Sequence, residues 1–245
     1  MTEIQKKLFS LADPAYREFH SRLMPTIQRE KVIGVRTPVL RGFASELLRE
    51  GNGTLRKEFL DTLPHIYYEE NNLHAFLIAE SGDFDYVMSM TEKFLPYIDN
   101  WATCDTFSPK IFAKNRDRLK PWCVGVLKPY SDGQPVPDDK VYTVRFAVNM
   151  LMKHFLGKNF DPSLPDYVAA LRPVSDCDPK NPDERYYLKM SAAWYFATAL
   201  AANEAEILPY FTEKRLDRQV MKMAVRKSFD SRRVTPETKK LLKSL

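Results

Sequence analysis

The chain has 245 residues, of which 44% are hydrophobic and 28% are charged, and its net charge is +5. This is the composition of a globular protein, and no apolar run approaches the roughly 18 residues that a membrane span needs. The three cysteines are far apart and form no CxxC pair, so we expect neither a disulfide framework nor a metal site. The first residues contain no apolar signal segment, and we expect a cytoplasmic protein.

Proline marks the starts of the predicted helices. The sequence has 17 prolines and only 8 glycines, and several prolines follow a residue that can cap a helix. A capping side chain followed by proline at the first helical position is a start signal. Such pairs occur at Asp13-Pro14, Thr37-Pro38, Ser108-Pro109, Asn181-Pro182 and Thr235-Pro236.

Between these points the apolar residues recur at spacings of three and four, which predicts amphipathic helices. The best strand pattern, 141–144, runs directly into a helical pattern. We predict about twelve helices in pairs at 41–50 with 54–67, 71–80 with 84–97, 101–113 with 116–128, 139–156 with 164–171, 184–202 with 204–211, and 214–230 with 236–244. The pairs recur every 30 to 40 residues or so, which is typical of helical-repeat arrays. We therefore predict an all-α superhelical array of antiparallel helix pairs, an α-α solenoid, as one domain over 1–245.

Several kinds of catalytic apparatus are missing from the sequence. No glycine-rich phosphate loop is present, so we expect no nucleotide cofactor. GxSxG and HExxH are absent, and the four histidines are widely spaced. If the protein is an enzyme, its substrate must therefore bring its own activation.

Trp101 and Asp105 form the most informative pair in the chain. A spacing of four places both on one face of a helix, one turn apart. An electron-rich ring beside a carboxylate suits the binding of a cationic group or the stabilisation of a nascent cation. Core packing for the tryptophan and solvation for the aspartate are the alternative interpretation.

Positive charge is concentrated at the C-terminal end. Residues 214–245 contain eleven basic and three acidic residues, whereas the other 213 residues contain 26 basic and 29 acidic ones. The asymmetry indicates a polyanionic partner, and a solvated helix surface is an equally good interpretation. Four cations of this segment, Arg215, Arg218, Lys222 and Arg226, fall on a single stripe at helical spacing.

Four motifs together resemble the DNA alkylation repair glycosylases of the AlkD type, which are built from HEAT-like helical repeats. Residues 34–38 resemble that family's early turn into a helix, and 101–105 resemble its W-x-x-x-D catalytic helix. Residues 144–147 resemble the helix start that carries its active-site arginine, and 186–194 resemble the helix of its second tryptophan. The similarity runs from about Val32 to the C-terminus.

The resemblance implies hydrolysis of the N-glycosidic bond of positively charged alkylated purines, such as 3-methyladenine and 7-methylguanine, in duplex DNA. It implies that Asp105 stabilises the developing sugar cation and positions water, that Trp101 and Trp194 flank the lesion, and that Arg145 grips a phosphate. The remaining predicted DNA contacts are Arg215, Arg218, Lys222, Arg226, Arg232, Arg233 and Lys189. We expect a monomer that needs no cofactor.

One position departs from the family pattern. Relatives can carry a further basic residue one turn after the second tryptophan, where this chain has Ala197. The corresponding DNA contact is either lost or supplied by Lys189 or Arg185. Two other functions stay open, namely a non-catalytic helical-repeat protein that binds DNA or damaged DNA structures, and a protein–protein scaffold.

Overall fold

The computed structural model describes residues 1–49, 51–178 and 180–244. Within these ranges the chain forms fourteen α-helices joined by loops and short 3-10 turns, and no β-strand. A single pair, Val136 and Pro173, forms an isolated β-bridge. The predicted all-α class is confirmed. None of the helices in the described part is long and apolar enough to cross a membrane.

Residue contacts divide the chain into two compact units, Met1–Lys114 and Asn115–Leu245. Unit 1 is built around α5, which is buried at every one of its positions and packs against α3, α6 and α7. The helices of unit 1 are α1 Glu3–Ser10, α2 Pro14–Ser21, α3 Thr37–Leu47, α4 Gly53–Asp61, α5 Tyr68–Ala79, α6 Phe84–Phe94 and α7 Trp101–Thr106.

Unit 2 is built around α11, which packs most extensively against α9 and α13 and also contacts α12. Its helices are α8 Arg116–Ser131, α9 Val141–His154, α10 Pro165–Ala169, α11 Glu184–Ala202, α12 Glu204–Thr212, α13 Arg218–Asp230 and α14 Pro236–Lys243. In both units the main helix contacts join elements close in sequence, such as α3 with α5 and α9 with α11, as in a solenoid. The single-domain assignment stays a prediction.

The pairing of helices differs in part from the prediction. The pairs α3–α4, α5–α6, α11–α12 and α13–α14 are in contact, but alternate helices such as α9 and α11 share larger interfaces. Helix α10 packs mainly on α8 rather than on α9. The reason is that α9 and α11 are apolar on most sides, so each is covered by several neighbours rather than by one partner.

Local start and stop signals were predicted with mixed success. Asp13 and Thr235 cap α2 and α14 as expected. Thr37 is instead the first residue of α3. Asp183 rather than Asn181 caps α11, because its carboxylate accepts the Tyr186 amide hydrogen.

Three predicted helix ends were also wrong or lie outside the described residues. The predicted helix over 101–113 is wrong because it stops at Thr106, before Ser108-Pro109, and a 3-10 turn follows at Lys110–Lys114. Helix α4 ends at Asp61 rather than at residue 67. The predicted end of the preceding helix at Glu50 lies outside the described residues.

The turn before α3 is fixed by a buried carboxylate. Glu69, on α5, accepts three backbone amide hydrogens from the turn, those of Ile33, Gly34 and Val35, at 2.9, 2.6 and 3.2 Å. Burial raises the pKa of Glu69, whereas these hydrogen bonds act in the opposite direction. The carboxylate therefore ties α5 to the turn that leads into α3.

Buried histidines predict that the protein loses stability in acid. His65 and His74 are joined by a 2.9 Å hydrogen bond, and burial lowers their pKa values to about 4 and about 3. The unfolded chain therefore takes up protons first as the pH falls below the ordinary histidine value near 6.5. We expect the free energy of unfolding to fall from pH 6.5 to about pH 4, by about 1.4 kcal/mol per pH unit for each histidine.

Urea unfolding followed by circular dichroism, at several pH values between 7 and 4.5, measures this loss. In a His65→Gln variant we expect lower stability at pH 7, since the ring stacked on Phe59 is lost. We also expect a shallower dependence on pH, because one titrating group is gone. An equally steep dependence in the variant would show that folding does not lower the pKa of His65.

Candidate active site and nucleic-acid interface

Helix α7 is preceded by a buried asparagine whose side-chain oxygen and nitrogen both form hydrogen bonds. Asn100 caps the helix by accepting the Thr103 amide hydrogen at 2.7 Å. Its own amide group donates to the Asp99 carboxylate at 2.9 Å and to the Thr103 hydroxyl at 3.0 Å. These bonds fix the start of a helix of only six residues, which carries Trp101 at its first position. Sequence reasoning missed Asn100, although an asparagine directly before a helix is a recognisable capping signal.

Trp101 is half-buried and anchored at its polar edge. The indole nitrogen donates a hydrogen bond to the Leu23 carbonyl at 3.2 Å. The ring packs against a small core cluster made by Met24, Ile27, Val32, Tyr68 and Ala102. Packing and the hydrogen bond together hold the ring in one orientation, while part of it stays open to solvent. Both interpretations of Trp101 made from the sequence are therefore compatible with its environment.

Asp105 lies one turn after Trp101 on α7, as the spacing predicts. Its side chain is half-buried, and the residues between the two, Ala102, Thr103 and Cys104, are buried. The helix therefore turns 102–104 towards the core and leaves Trp101 and Asp105 partly accessible. In unit 1 the structure thus brings the predicted ring and carboxylate together on one short, capped helix.

Arg145 is almost completely buried on α9, with an exposed fraction of 3%. Its Nη1 donates to the Tyr187 carbonyl on α11 at 2.7 Å. Tyr187 lies seven residues, or two turns, before Trp194 on the same side of α11. The arginine therefore ties α9 to the helix that carries the second predicted tryptophan. The predicted phosphate contact stays a prediction, and little of the guanidinium is open to a phosphate here.

Trp194 is half-buried and lines a pocket of about 320 Å³ between α11 and the C-terminal end of α13. Ala197, the position that departs from the family pattern, lies in the same wall. The opposite wall contains two cations and one carboxylate, those of Lys227, Arg233 and Asp230. Sequence reasoning predicted Arg233 as a DNA contact but missed Lys227, since nothing in the sequence shows which residues face Trp194.

Lys189 has a structural environment rather than a DNA-facing one. Its exposed fraction is 3%, and its ammonium donates to Asp176 at 3.0 Å and to Gln219 at 2.7 Å. It also lies 3.6 Å from Asp217, the residue that caps α13. A buried ammonium with three polar neighbours joins α11 to the start of α13, and we remove Lys189 from the proposed DNA surface. Arg185 is likewise engaged, in an ion pair with Asp183.

Three of the predicted DNA contacts form an exposed stripe on α13. Arg218, Lys222 and Arg226 are spaced by four along this helix, and all three are exposed. Arg215 precedes the helix and is not part of the stripe. Its guanidinium pairs with Asp166 at 2.5 Å and lies 4.1 Å from the centre of the Tyr210 ring.

The turn after α13 holds the remaining two predicted cations, Arg232 and Arg233, which are exposed. Together with the α13 stripe they give unit 2 a basic surface that is available to a polyanion. Such a surface contacts a phosphate backbone without reading base sequence.

The fold and these residues define an all-α protein with a ring and carboxylate on one helix and a basic surface on another. Residues 4–123 match the family model described as DNA alkylation repair enzyme. The resemblance to an alkylation repair family is thereby confirmed for this part of the chain, and the match supports a role in DNA alkylation repair. Comparisons with curated proteins and with solved structures gave no significant match. The matched range includes Trp101 and Asp105 and ends before Arg145, Trp194 and the basic surface.

Proposed function

We propose that the protein is a DNA glycosylase that removes positively charged alkylated purines, such as 3-methyladenine and 7-methylguanine, from duplex DNA as the first step of base excision repair. The observation that carries the proposal is the pair on α7, in which a half-buried carboxylate lies one turn from an anchored tryptophan. Both residues lie within the range that matches the alkylation repair family.

The chemistry of the substrate fits the residues that are present. An alkylated purine carries a positive charge and leaves as a neutral base, so no general acid is required. The remaining task is to stabilise an oxocarbenium-like sugar and to admit water. A carboxylate does both, by its charge and by positioning the nucleophile. We assign this role to Asp105.

We propose that Trp101 of unit 1 and Trp194 of unit 2 are each aromatic contacts for the alkylated nucleotide. The face of an aromatic ring attracts a cation on the base or sugar, and its bulk excludes water. Arg145 is proposed as a positioning residue, because its hydrogen bond to the Tyr187 carbonyl holds the helix that carries Trp194. The chain has alanine, not a cation, at position 197. We propose that Lys227 and Arg233, on the other side of the Trp194 pocket, contact a phosphate instead.

The basic surface of unit 2 is proposed to bind the DNA backbone. We expect the triple variant Arg218→Gln, Lys222→Gln and Arg226→Gln to bind every duplex more weakly, whatever its sequence or lesion. If each cation neutralises one phosphate, the slope of log affinity against log salt falls by about 2.7, since each contact contributes about 0.9. Titration of labelled duplex by fluorescence anisotropy at several salt concentrations measures this slope.

A matched control removes three exposed lysines from unit 1, as Lys6→Gln, Lys7→Gln and Lys93→Gln. It changes the net charge by the same amount, so a local contact is separated from a general loss of positive charge. An unchanged slope in the α13 variant would place the DNA on another surface.

The second candidate is a non-catalytic protein that binds DNA or damaged DNA structures. It explains the basic surface equally well but gives no role to Asp105, whose charge repels a phosphate backbone. The test compares the release of free base from duplexes that carry either 7-methylguanine or neutral uracil. A glycosylase without a general acid releases the cationic base and leaves the uracil. Binding without any release would favour the second candidate.

A further inference from the structure

A second, larger pocket lies within unit 2 where α12, α13 and α14 meet. Its volume is about 710 Å³, which is within the range of ligand sites in proteins. Most of its lining is apolar, and comes from Phe211, Leu216, Met221, Val225 and Leu242. Phe211, Leu216 and Leu242 are also buried, so they form a fixed floor, whereas Met221 and Val225 are half-buried.

Three cations line the same pocket, Lys214, Arg218 and Lys222. All three are exposed, so their charged ends lie on its solvent side. Arg218 and Lys222 are one turn apart on α13, and Lys214 precedes that helix. The pocket thus combines an apolar interior with a row of positive charge.

Lys214 has an unusual backbone conformation. Its φ is 53°, the only positive φ of a non-glycine residue in the part of the chain that the structure describes. Lys214 follows the end of α12. Its backbone amide donates a hydrogen bond to the Phe211 carbonyl at 3.2 Å, and the Arg215 amide donates one to the Tyr210 carbonyl at 3.1 Å. Glycine is the usual residue at such a helix end. A lysine here places an ammonium at the pocket although the backbone favours a residue without a side chain, which is typical of a functional position.

Arg218 and Lys222 also belong to the surface proposed to bind the DNA backbone, but that backbone has no apolar group to fill the interior of the pocket. A ligand with one acidic headgroup would form an ion pair with only one of the three cations. A row of cations beside an apolar cavity instead complements several negative charges next to one large apolar side chain. We propose that this pocket binds an acidic peptide segment of a partner protein, with one apolar side chain of that segment inserted among Phe211, Met221 and Leu242.

The test uses two labelled nonapeptides of aspartate and glutamate, one with phenylalanine at its centre and one with alanine. Fluorescence anisotropy with the full chain gives the affinities. We expect the phenylalanine peptide to bind about tenfold more tightly, since its ring is buried on binding. Lys214→Gly is expected to weaken this binding about fivefold. The same variant is expected to keep or raise the unfolding midpoint, because glycine accepts the positive φ without strain.

Lys180→Gly is the matched control, since it removes one exposed lysine from a loop of the same unit that does not line the pocket. Equal binding of the two peptides, or equal effects of the two lysine variants, would overturn the proposal. Displacement of the peptide by decanoate, together with tighter binding of decanoate itself, would also overturn it in favour of a lipid. None of these readouts depends on base release, so this inference and the proposed glycosylase activity fail or stand separately.

Discussion

Asp105→Asn is expected to abolish the release of alkylated base while duplex affinity stays the same or rises. Asparagine has the size of aspartate and can occupy the same place on α7, but it carries no negative charge to stabilise the sugar cation. Loss of such a preorganised group slows the chemical step by about 100-fold or more. Removal of a negative charge near a phosphate backbone reduces repulsion, so binding does not weaken. Single-turnover kinetics and anisotropy measure the two quantities separately.

The matched control is Glu46→Gln, which neutralises an exposed carboxylate on α3 of the same unit. We expect it to release base at the wild-type rate. Asp105→Asn protein with wild-type activity would reject the assigned role. A loss of activity accompanied by a loss of folded structure would assign Asp105 to stability instead, and circular dichroism distinguishes this case.

Gly34→Ala is expected to destabilise the protein by about 3 kcal/mol or more. Gly34 has a φ of 97°, which side chains rarely adopt, and an added Cβ would lie 2.5 Å from Cβ of Arg17 and 2.9 Å from the Asp13 carbonyl oxygen. The Asp13 oxygen belongs to the backbone and cannot move aside without shifting α2. The same turn donates its amide hydrogens to Glu69, so that displacement also weakens buried hydrogen bonds.

Gly42→Ala is the control for this prediction. Gly42 lies within α3, and a Cβ there meets nothing within 4 Å. We expect it to raise the stability by about 0.5–1 kcal/mol, because alanine is the better helix former. Urea unfolding of both variants measures the difference. A Gly34→Ala protein as stable as wild type would show that the turn can rearrange and that its contact with α2 is weak.

The helical pattern of the sequence predicted the fold class because a helix with a long apolar face forms whichever neighbours cover that face. Helix α11 was predicted at 184–202 and has those limits. The pairing of helices was harder to predict, since an all-round apolar helix such as α9 does not indicate which neighbour covers it. Helix α7 was predicted too long because its apolar spacing continues past Ser108-Pro109, where the backbone cannot stay helical.

The candidate site was predictable only where its residues are close in sequence. Trp101 and Asp105 lie on one helix, so their relation follows from spacing alone. Lys189 was predicted as a DNA contact because of its charge. Its burial beside Asp176 and Gln219 depends on how α11 packs on α13, which the local sequence does not show. Lys227 reaches the Trp194 pocket from α13, 33 positions further along the chain, and no local signal marks that proximity.

The most direct measurement is the release of free 7-methylguanine from duplex DNA by the full chain under single-turnover conditions. Free base and abasic sites are quantified for wild-type protein, for Asp105→Asn and for a reaction without protein. We predict release by the wild type well above the spontaneous rate, and none above it by Asp105→Asn. Tight binding of the duplex without release of either 7-methylguanine or the more labile 3-methyladenine would contradict the glycosylase proposal and identify a non-catalytic DNA-binding protein.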